Sequence, residues 1–177
     1  MVATIPDSCK VIVIGGGVIG CSCAYHIAKF GWKDVVLLER DQLTSGTTWH
    51  AAGLVSQIGP SAAITKIRKY SLDLYKELEK KVNHSAGLRL NGALSVAQNE
   101  GRWQELKRQA TTSQLYDFDI NILNKDELKK IVPMMNNDNL LGGILMPGDG
   151  SADPSGITHM LAKAAKMEGA KIYEKSP

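Results

Sequence analysis

Residues 11–53 read VIVIGGGVIGCSCAYHIAKFGWKDVVLLERDQLTSGTTWHAAG, and the order of residue types in this stretch decides the fold. The β-branched run Val11–Ile14 ends in three glycines, and it predicts a strand buried on both faces of a parallel sheet. The apolar residues that follow predict a helix ending at Gly31, and Val35–Leu38 predicts a second strand. The order strand, turn, helix, strand is typical of an α/β fold with a parallel sheet.

The glycines after the first strand have the spacing of a dinucleotide-binding turn. Gly15, Gly17 and Gly20 satisfy G-x-G-x-x-G, in which the glycines allow the tight turn, the approach of a diphosphate and close helix–strand packing. Glu39 closes the second strand 19 residues after Gly20, where a carboxylate can accept hydrogen bonds from the adenosine ribose. A glycine turn that binds nothing would leave Glu39 unexplained, so the stretch predicts a dinucleotide site.

Composition and charge exclude several classes of protein. The 177 residues are 44% hydrophobic, which argues against disorder, and they suffice for one domain with a sizeable core. The net charge of +3 comes from interspersed cations, which gives no electrostatic footprint for nucleic acid. No apolar run approaches the roughly 18 residues of a membrane span. The short stretch before the first strand predicts neither a signal nor a transit peptide, so we expect a cytoplasmic protein, or a mitochondrial matrix protein if a eukaryotic precursor was processed.

Several polar residues that could suggest a metal or acid–base site fit structural roles better. The three cysteines, Cys9, Cys21 and Cys23, are interpreted as small buried hydrophobes, with no disulfide or metal site. Asp153 precedes a proline and predicts a helix cap, and Asp149 lies in a Pro-Gly-Asp-Gly turn. We therefore expect no metal.

A segment rich in small and hydroxylated residues follows Arg40 and ends in SGTTWHAAGL, residues 45–54. Its backbone could lie against a flat ligand, and its distance from the second strand places it near the flavin end of a dinucleotide. The chain resembles the amino-oxidase (DAO-like) superfamily of FAD-dependent oxidoreductases. Within it the resemblance is closest to the sarcosine and dimethylglycine dehydrogenases, in which LLER…SGTTWHAAGL is a near-continuous match.

The resemblance implies a covalent flavin. In this family the histidine that matches His50 carries FAD through the flavin 8α-methyl carbon, and a neutral imidazole nitrogen is a suitable nucleophile for that bond. A polar loop histidine bonded to backbone is the alternative role for His50. The resemblance implies FAD contacts from the following residues: Gly15, Gly17, Val18, Ile19, Gly20, Glu39, Arg40, Gly46, Thr47, Thr48, Trp49, His50, Ala51, Ala52, Gly53 and Leu54.

The resemblance also implies a reaction. Enzymes of this family remove hydride from the N-methyl carbon of a glycine derivative, and the resulting iminium ion hydrolyses to formaldehyde or is intercepted by tetrahydrofolate. The implied partners are a small N-methyl amine and an electron-transfer flavoprotein as electron acceptor. The catalytic residues and any tetrahydrofolate domain are expected beyond Pro177.

The rest of the sequence predicts a Rossmann-like FAD-binding domain interrupted by an α+β excursion. We expect residues 1–83 and 148–177 to form the FAD-binding domain, incomplete, and residues 84–147 to contribute to a substrate domain. A helix and an apolar strand after Asp153 predict a return to the parallel sheet. No later glycine-containing segment follows, so we expect an N-terminal part of a longer polypeptide.

Three alternatives remain open. One is a regulatory relative without activity, since the same family includes a regulatory subunit of a mitochondrial phosphatase. Another is an amine or amino-acid oxidase with dissociable FAD, in which His50 would be incidental. A NAD-dependent Rossmann enzyme is less consistent with the sequence, because the hydroxyl-rich segment after Arg40 would have no role in it.

Overall fold

The structure is a computed structural model that describes residues 5–177. In chain order its strands and helices are β1 (Val11–Ile14), α1 (Val18–Lys29), β2 (Val35–Leu38), β3 (Leu54–Val55), α2 (Ala62–Val82), β4 (Ala93–Ala97), α3 (Glu100–Ser113), β5 (Asn121–Leu123), α4 (Lys125–Ile131), β6 (Gly142–Met146), β7 (Gly150–Ser151), α5 (Pro154–Met167) and β8 (Lys171–Tyr173). No helix among residues 5–177 is both long and apolar enough to cross a membrane.

The chain divides into two compact units. The first comprises the residues up to Gly53, Asp73–Leu88 and Ala152–Pro177, and the second comprises Leu54–Leu72 and Arg89–Ser151. This division differs from the boundaries expected from sequence, because residues 54–72 and 148–151 belong to the second unit and residues 84–88 belong to the first. Helix α2 contributes residues to both units.

The first unit contains a parallel sheet with strand order β1-β2-β8. Strand β2 lies in the centre, with Val11 opposite Val35 and Leu37 opposite Ile172. Read from the other edge this is the 3-2-1 order of a mononucleotide-binding half of a Rossmann fold. The predicted strands, the helix between them and the return of the chain to the sheet are confirmed.

The prediction that β1 is buried on both faces is wrong. Ile12 and Ile14 are 56% and 86% exposed, whereas their neighbours along β1 are half-buried. Helices α1 and α5 pack against each other, so within residues 5–177 they cover the same face of the sheet. The central strand β2 does have the expected character, since Val35, Val36 and Leu37 are all buried.

The core of the first unit lies where α1 and α5 meet. Buried side chains on α1 include Tyr25 and Ala28, and those on α5 include Met160 and Leu161. Burying a side chain of leucine or methionine size stabilises the fold by about 1.5–3 kcal/mol, before the entropy of ordering is subtracted. Helix α5 begins as predicted, because the Asp153 carboxylate accepts a hydrogen bond from the Ser155 N–H at 3.0 Å.

The second unit is built on the antiparallel sheet β4-β6-β5. Helix α3 packs Leu106 and Ala110 against Ala97, Ile144 and Met146. Helix α4 packs Leu128 in a separate cluster with Leu123 and Leu140. Asn124 and Glu127 form the predicted capping box at the start of α4. A short pair of strands, β3 and β7, completes this unit.

Candidate functional site

The glycine turn between β1 and α1 has the geometry that its sequence predicts. Gly15 has φ +106°, a backbone conformation that a residue with a side chain rarely adopts. A Cβ on Gly20 would collide with the carbonyl oxygen of Gly15, so the absence of a side chain lets the helix approach the turn. A Cβ on Gly17 would lie 2.9 Å from Thr48 Oγ1. The geometry of the turn therefore favours glycine at each of the three motif positions, for a different reason at each.

The Glu39 carboxylate folds back onto the turn. Its Oε2 accepts a hydrogen bond from the Gly16 N–H at 2.5 Å, and its Oε1 accepts one from the Asp41 N–H at 2.9 Å. These bonds, the one from Asp41 first, lower the pKa of Glu39 and keep the side chain ionised at neutral pH. A carboxylate offers about four acceptor positions, so acceptor capacity remains for a hydroxyl-bearing ligand.

The N-terminus of α1 offers unused donors beside the turn. Gly17 is the N-cap and provides no side-chain cap, and the first turn contains no acidic residue. The Val18 N–H donates to Thr48 Oγ1 at 3.1 Å, whereas the N–H groups of Ile19 and Gly20 have no partner among residues 5–177. Unsatisfied amides at a helix N-terminus bind phosphate and other anions.

Thr48 connects the hydroxyl-rich segment to this helix. Thr48 is buried and is the first residue of the short 3-10 helix Thr48–His50. Thr48, one of the predicted FAD contacts, uses its Oγ1 to accept the hydrogen bond from the Val18 N–H. The hydroxyl therefore fixes the position of the segment relative to the glycine turn.

His50 is exposed at the end of the same short helix. The His50 N–H donates to the Thr47 carbonyl at 3.2 Å, and its ring centroid lies 3.8 Å from that of Trp49. Trp49 is itself 58% exposed. An exposed imidazole with an aromatic neighbour, held two residues after an anchored threonine, is accessible for chemistry with a bound ligand.

The other predicted contact residues fall into two groups. One group lies in the first unit and consists of the half-buried Gly53 and five exposed residues, namely Arg40, Gly46, Thr47, Ala51 and Ala52. Leu54 is exposed but begins β3 of the second unit, and so it is not part of the same compact unit as the glycine turn.

Sequence reasoning missed Glu174, which supports the segment after β2. Its Oε1 accepts a hydrogen bond from the Leu43 N–H at 2.7 Å, across 131 positions of sequence. Leu43 is buried, and its backbone is thereby tied to the end of β8. An acidic residue after a strand carries no local signal for this contact, so only the parallel pairing of β2 and β8 could have revealed it.

The cysteines differ in their surroundings. Cys21 is buried as predicted, but Cys23 is exposed, so the interpretation of all three as buried is wrong. Burial raises the pKa of the Cys21 thiol to about 12, and the nearby charges of Glu39 and Glu174 act in the same direction. The thiolate is the reactive form, so Cys21 is chemically inert in the folded chain.

We expect a thiol reagent such as DTNB at pH 8 to modify Cys23 rapidly and Cys21 only after unfolding, because burial disfavours the Cys21 thiolate. Counting the modified thiols in the native and the denatured protein, with Cys23→Ser as the matched control, measures the difference. Rapid native labelling of Cys21 would contradict the packing of α1 on α5.

A glycine turn between a parallel strand and a helix, a free helix N-terminus and an acidic residue after the next strand together define a dinucleotide-binding fold. The chain belongs to DAO, the family of FAD dependent oxidoreductases, whose family model matches residues 10–177.

The chain is similar to a sarcosine dehydrogenase and a dimethylglycine dehydrogenase. It is 40% identical over 174 residues to the mitochondrial sarcosine dehydrogenase of Homo sapiens, covering 98% of this chain and 19% of that protein. It is 37% identical over 171 residues to the mitochondrial dimethylglycine dehydrogenase of Rattus norvegicus, covering 97% and 20%. The chain thus spans about a fifth of the length of these relatives.

Among solved structures, L-proline dehydrogenase from P. horikoshii superposes with a TM-score of 0.87 at 27% identity. The match covers 97% of this chain and 45% of that one. The likeness extends over both compact units and not only over the glycine turn, and it confirms the predicted fold class.

Proposed function

We propose that this chain binds FAD, attaches it covalently through His50, and serves the oxidation of an N-methyl group on a glycine derivative such as sarcosine or dimethylglycine. The observation that carries the proposal is the hydrogen bond from the Val18 N–H to Thr48 Oγ1. It holds the segment that contains His50 against the helix N-terminus at which the diphosphate of FAD would bind. Similarity to the two N-methyl amine dehydrogenases supports the substrate class.

The residues present fit FAD. The N–H groups of Ile19 and Gly20 would receive the diphosphate, and no acidic side chain in the first turn of α1 would repel it. Glu39 would accept hydrogen bonds from the ribose hydroxyls while keeping its bonds to Gly16 and Asp41. We place Arg40 with Glu39 around the adenosine, and the predicted contacts from Gly46 to Leu54 along the ribityl and flavin portions.

In this proposal the chain's own residues bind the cofactor and orient it. Bound FAD supplies the redox chemistry, because the flavin accepts the hydride that leaves the N-methyl carbon. His50 fixes the flavin ring, and Thr48 fixes His50. The groups that bind the substrate carboxylate and assist proton transfer we place outside this chain, together with any tetrahydrofolate site. An electron-transfer flavoprotein is the proposed acceptor.

Because this chain spans about a fifth of its relatives' length and is not expected to turn over substrate alone, the substrate class is tested by reduction of an artificial dye by the FAD-loaded full-length protein. We expect dye reduction and formaldehyde release with sarcosine or dimethylglycine. Glycine betaine is the matched control, because its quaternary nitrogen has no lone pair to assist hydride removal. Bound FAD with no turnover of any N-methyl amine would favour the regulatory alternative. Turnover with flavin that is lost on denaturation would favour an oxidase with dissociable FAD.

The Glu39→Gln variant tests the ribose contact, because glutamine keeps the shape of the side chain and removes its charge. Hydrogen bonds to a charged group contribute about 1.5–3 kcal/mol, so non-covalent FAD binding should weaken by about 10- to 100-fold. Titration of the FAD-free protein by flavin fluorescence quenching measures the change. Asp34→Asn serves as the control, since Asp34 is an exposed residue of the same unit and asparagine tolerates its positive φ. Unchanged affinity in Glu39→Gln would rule out the ribose contact.

A further inference from the structure

The loop after β2, residues 39–44, is hydrogen-bonded to the end of β8 and to the residues that follow it. The Glu39 N–H donates to the Tyr173 carbonyl at 2.8 Å, and the Lys175 N–H donates to the Asp41 carbonyl at 2.8 Å. Both bonds join backbone groups, so they hold the start of the loop whatever side chains it carries. They do not extend to the far end of the loop.

The side chain of Glu174 holds that far end. Its Oε1 accepts a hydrogen bond from the Leu43 N–H at 2.7 Å, and the next amide, that of Thr44, donates to the Gly16 carbonyl at 3.1 Å. Thr44 has φ +73°, which a β-branched residue rarely adopts. Strained backbone of this kind persists only where its surroundings fix it. The bonds of these two consecutive amides, one to Glu174 and one to the glycine turn, provide that fixation.

The Leu43 side chain connects this anchor to the glycine turn. Leu43 is buried, and a Cβ placed on Gly16 would lie 2.6 Å from Leu43 Cδ2 and 2.9 Å from Glu39 Cβ. Leu43 and Glu39 therefore lie against the same glycine, whose N–H donates to Glu39 Oε2 at 2.5 Å. A shift of Leu43 would remove one support of Gly16, and Gly16 in turn holds the Glu39 carboxylate.

We infer that Glu174 is a positioning residue for FAD, which fixes Leu43 so that the loop and the glycine turn hold the Glu39 carboxylate in place for the ribose hydroxyls. This role rests on the proposed function and deepens it, because Glu174 lies outside all the proposed contacts and acts through Glu39. A loop that is ordered before the cofactor arrives costs less conformational entropy on binding. Glu174 contributes an acceptor oxygen, which a glutamine side chain of the same length also offers.

Titration of the full-length protein with FAD tests this role, with every variant made in a His50→Ala background so that the flavin stays dissociable. Glu174→Ala should weaken FAD binding about 3- to 10-fold, which is the effect of one lost hydrogen bond. Glu174→Gln should stay within about 2-fold of the background protein, because it keeps the acceptor. Glu77→Ala is the matched control and should leave the affinity unchanged, since Glu77 is an exposed glutamate of the same unit outside the proposed contacts.

A double-mutant cycle separates a role through Glu39 from a general loss of structure. When Glu39→Gln is already present, Glu174→Ala should weaken FAD binding by less than about 2-fold, because the carboxylate that Glu174 positions is gone. A loss that persists in full beside Glu39→Gln would overturn the role, since Glu174 would then act independently of Glu39. The same conclusion would follow if Glu174→Gln bound FAD as weakly as Glu174→Ala.

Thermal melts of the FAD-free proteins show whether each variant folds. If Glu174→Ala does not fold, Glu174→Asp decides, because its carboxylate is one methylene shorter and should bring the same loss of affinity. If Glu39→Gln weakens FAD binding and the folded Glu174 variant does not, the positioning role alone is wrong. If Glu39→Gln leaves the affinity unchanged, the proposed ribose contact is wrong, and the role of Glu174 is rejected with it.

Discussion

His50→Ala will bind FAD but release all of it on denaturation, whereas the parent protein, expressed with riboflavin, will retain it. The expected effect is complete loss of covalent flavin, since no other side chain is proposed to form the bond. Intact mass under denaturing conditions measures this directly as a mass increment equal to FAD. His84→Ala, a histidine of the same unit that lies outside the proposed site, should keep the full increment.

The variant should fold, because the backbone and not the imidazole holds the short helix. The backbone N–H of residue 50 donates a hydrogen bond to the Thr47 carbonyl, and Thr48 connects the segment to α1 through its hydrogen bond with the Val18 N–H. The ring makes its close contact with Trp49, which is itself exposed. Removal of the ring therefore takes away the nucleophile and one ring contact.

Two outcomes would contradict the assignment. Flavin that survives denaturation in His50→Ala would mean that a different side chain forms the covalent bond. A parent protein without the mass increment would favour the oxidase with dissociable FAD, and His50 would then be a loop histidine. Parallel measurement of non-covalent FAD binding in the variant separates loss of the bond from loss of the site.

The parts of the fold that the sequence predicted are those with local causes. The glycine spacing, the β-branched runs and the Asn124–Glu127 capping box act over a few residues, so their geometry follows from residue type. The candidate site was found for the same reason, because most of its residues lie within residues 15–50. The bond from Val18 to Thr48 was not predicted, although both residues were expected near the cofactor.

What the sequence could not predict depends on contacts between distant residues. A continuous apolar strand fits burial on both faces, but the exposure of Ile14 depends on which elements cover the sheet. Asp149 had the sequence context of a turn, but its side chain is buried and accepts a hydrogen bond from Gln57, 92 positions away in the chain. Each of the two units is likewise built from separate stretches of the chain, and no local change in composition marks the boundaries between these stretches.

Gly20→Ala should be the most destabilising of the glycine substitutions in the turn, because its added Cβ meets backbone and not a movable side chain. The nearest atom to that Cβ would be the carbonyl oxygen of Gly15, and the Gly15 carbonyl carbon would lie 3.0 Å away. Rotation of this carbonyl would break a hydrogen bond, because the Gly16 N–H of the same peptide unit donates to Glu39 Oε2 at 2.5 Å. Helix α1 would have to move off the strand, and this movement would also disturb its packing on α5.

Overpacking of this kind costs about 3 kcal/mol, a large share of the 5–15 kcal/mol that stabilises a typical domain. For a chain of 177 residues the midpoint of thermal unfolding should fall by roughly 6–12 °C. Gly46→Ala is the matched control, because a Cβ there meets no atom within 4 Å and its φ is not positive, so its free energy of unfolding should change by less than about 0.5 kcal/mol. Circular dichroism melts of the FAD-free proteins separate this effect from cofactor binding. If Gly20→Ala melts with the parent, then α1 lies farther from the turn than the structure places it, and the close approach attributed to the third glycine of the motif does not occur in this chain.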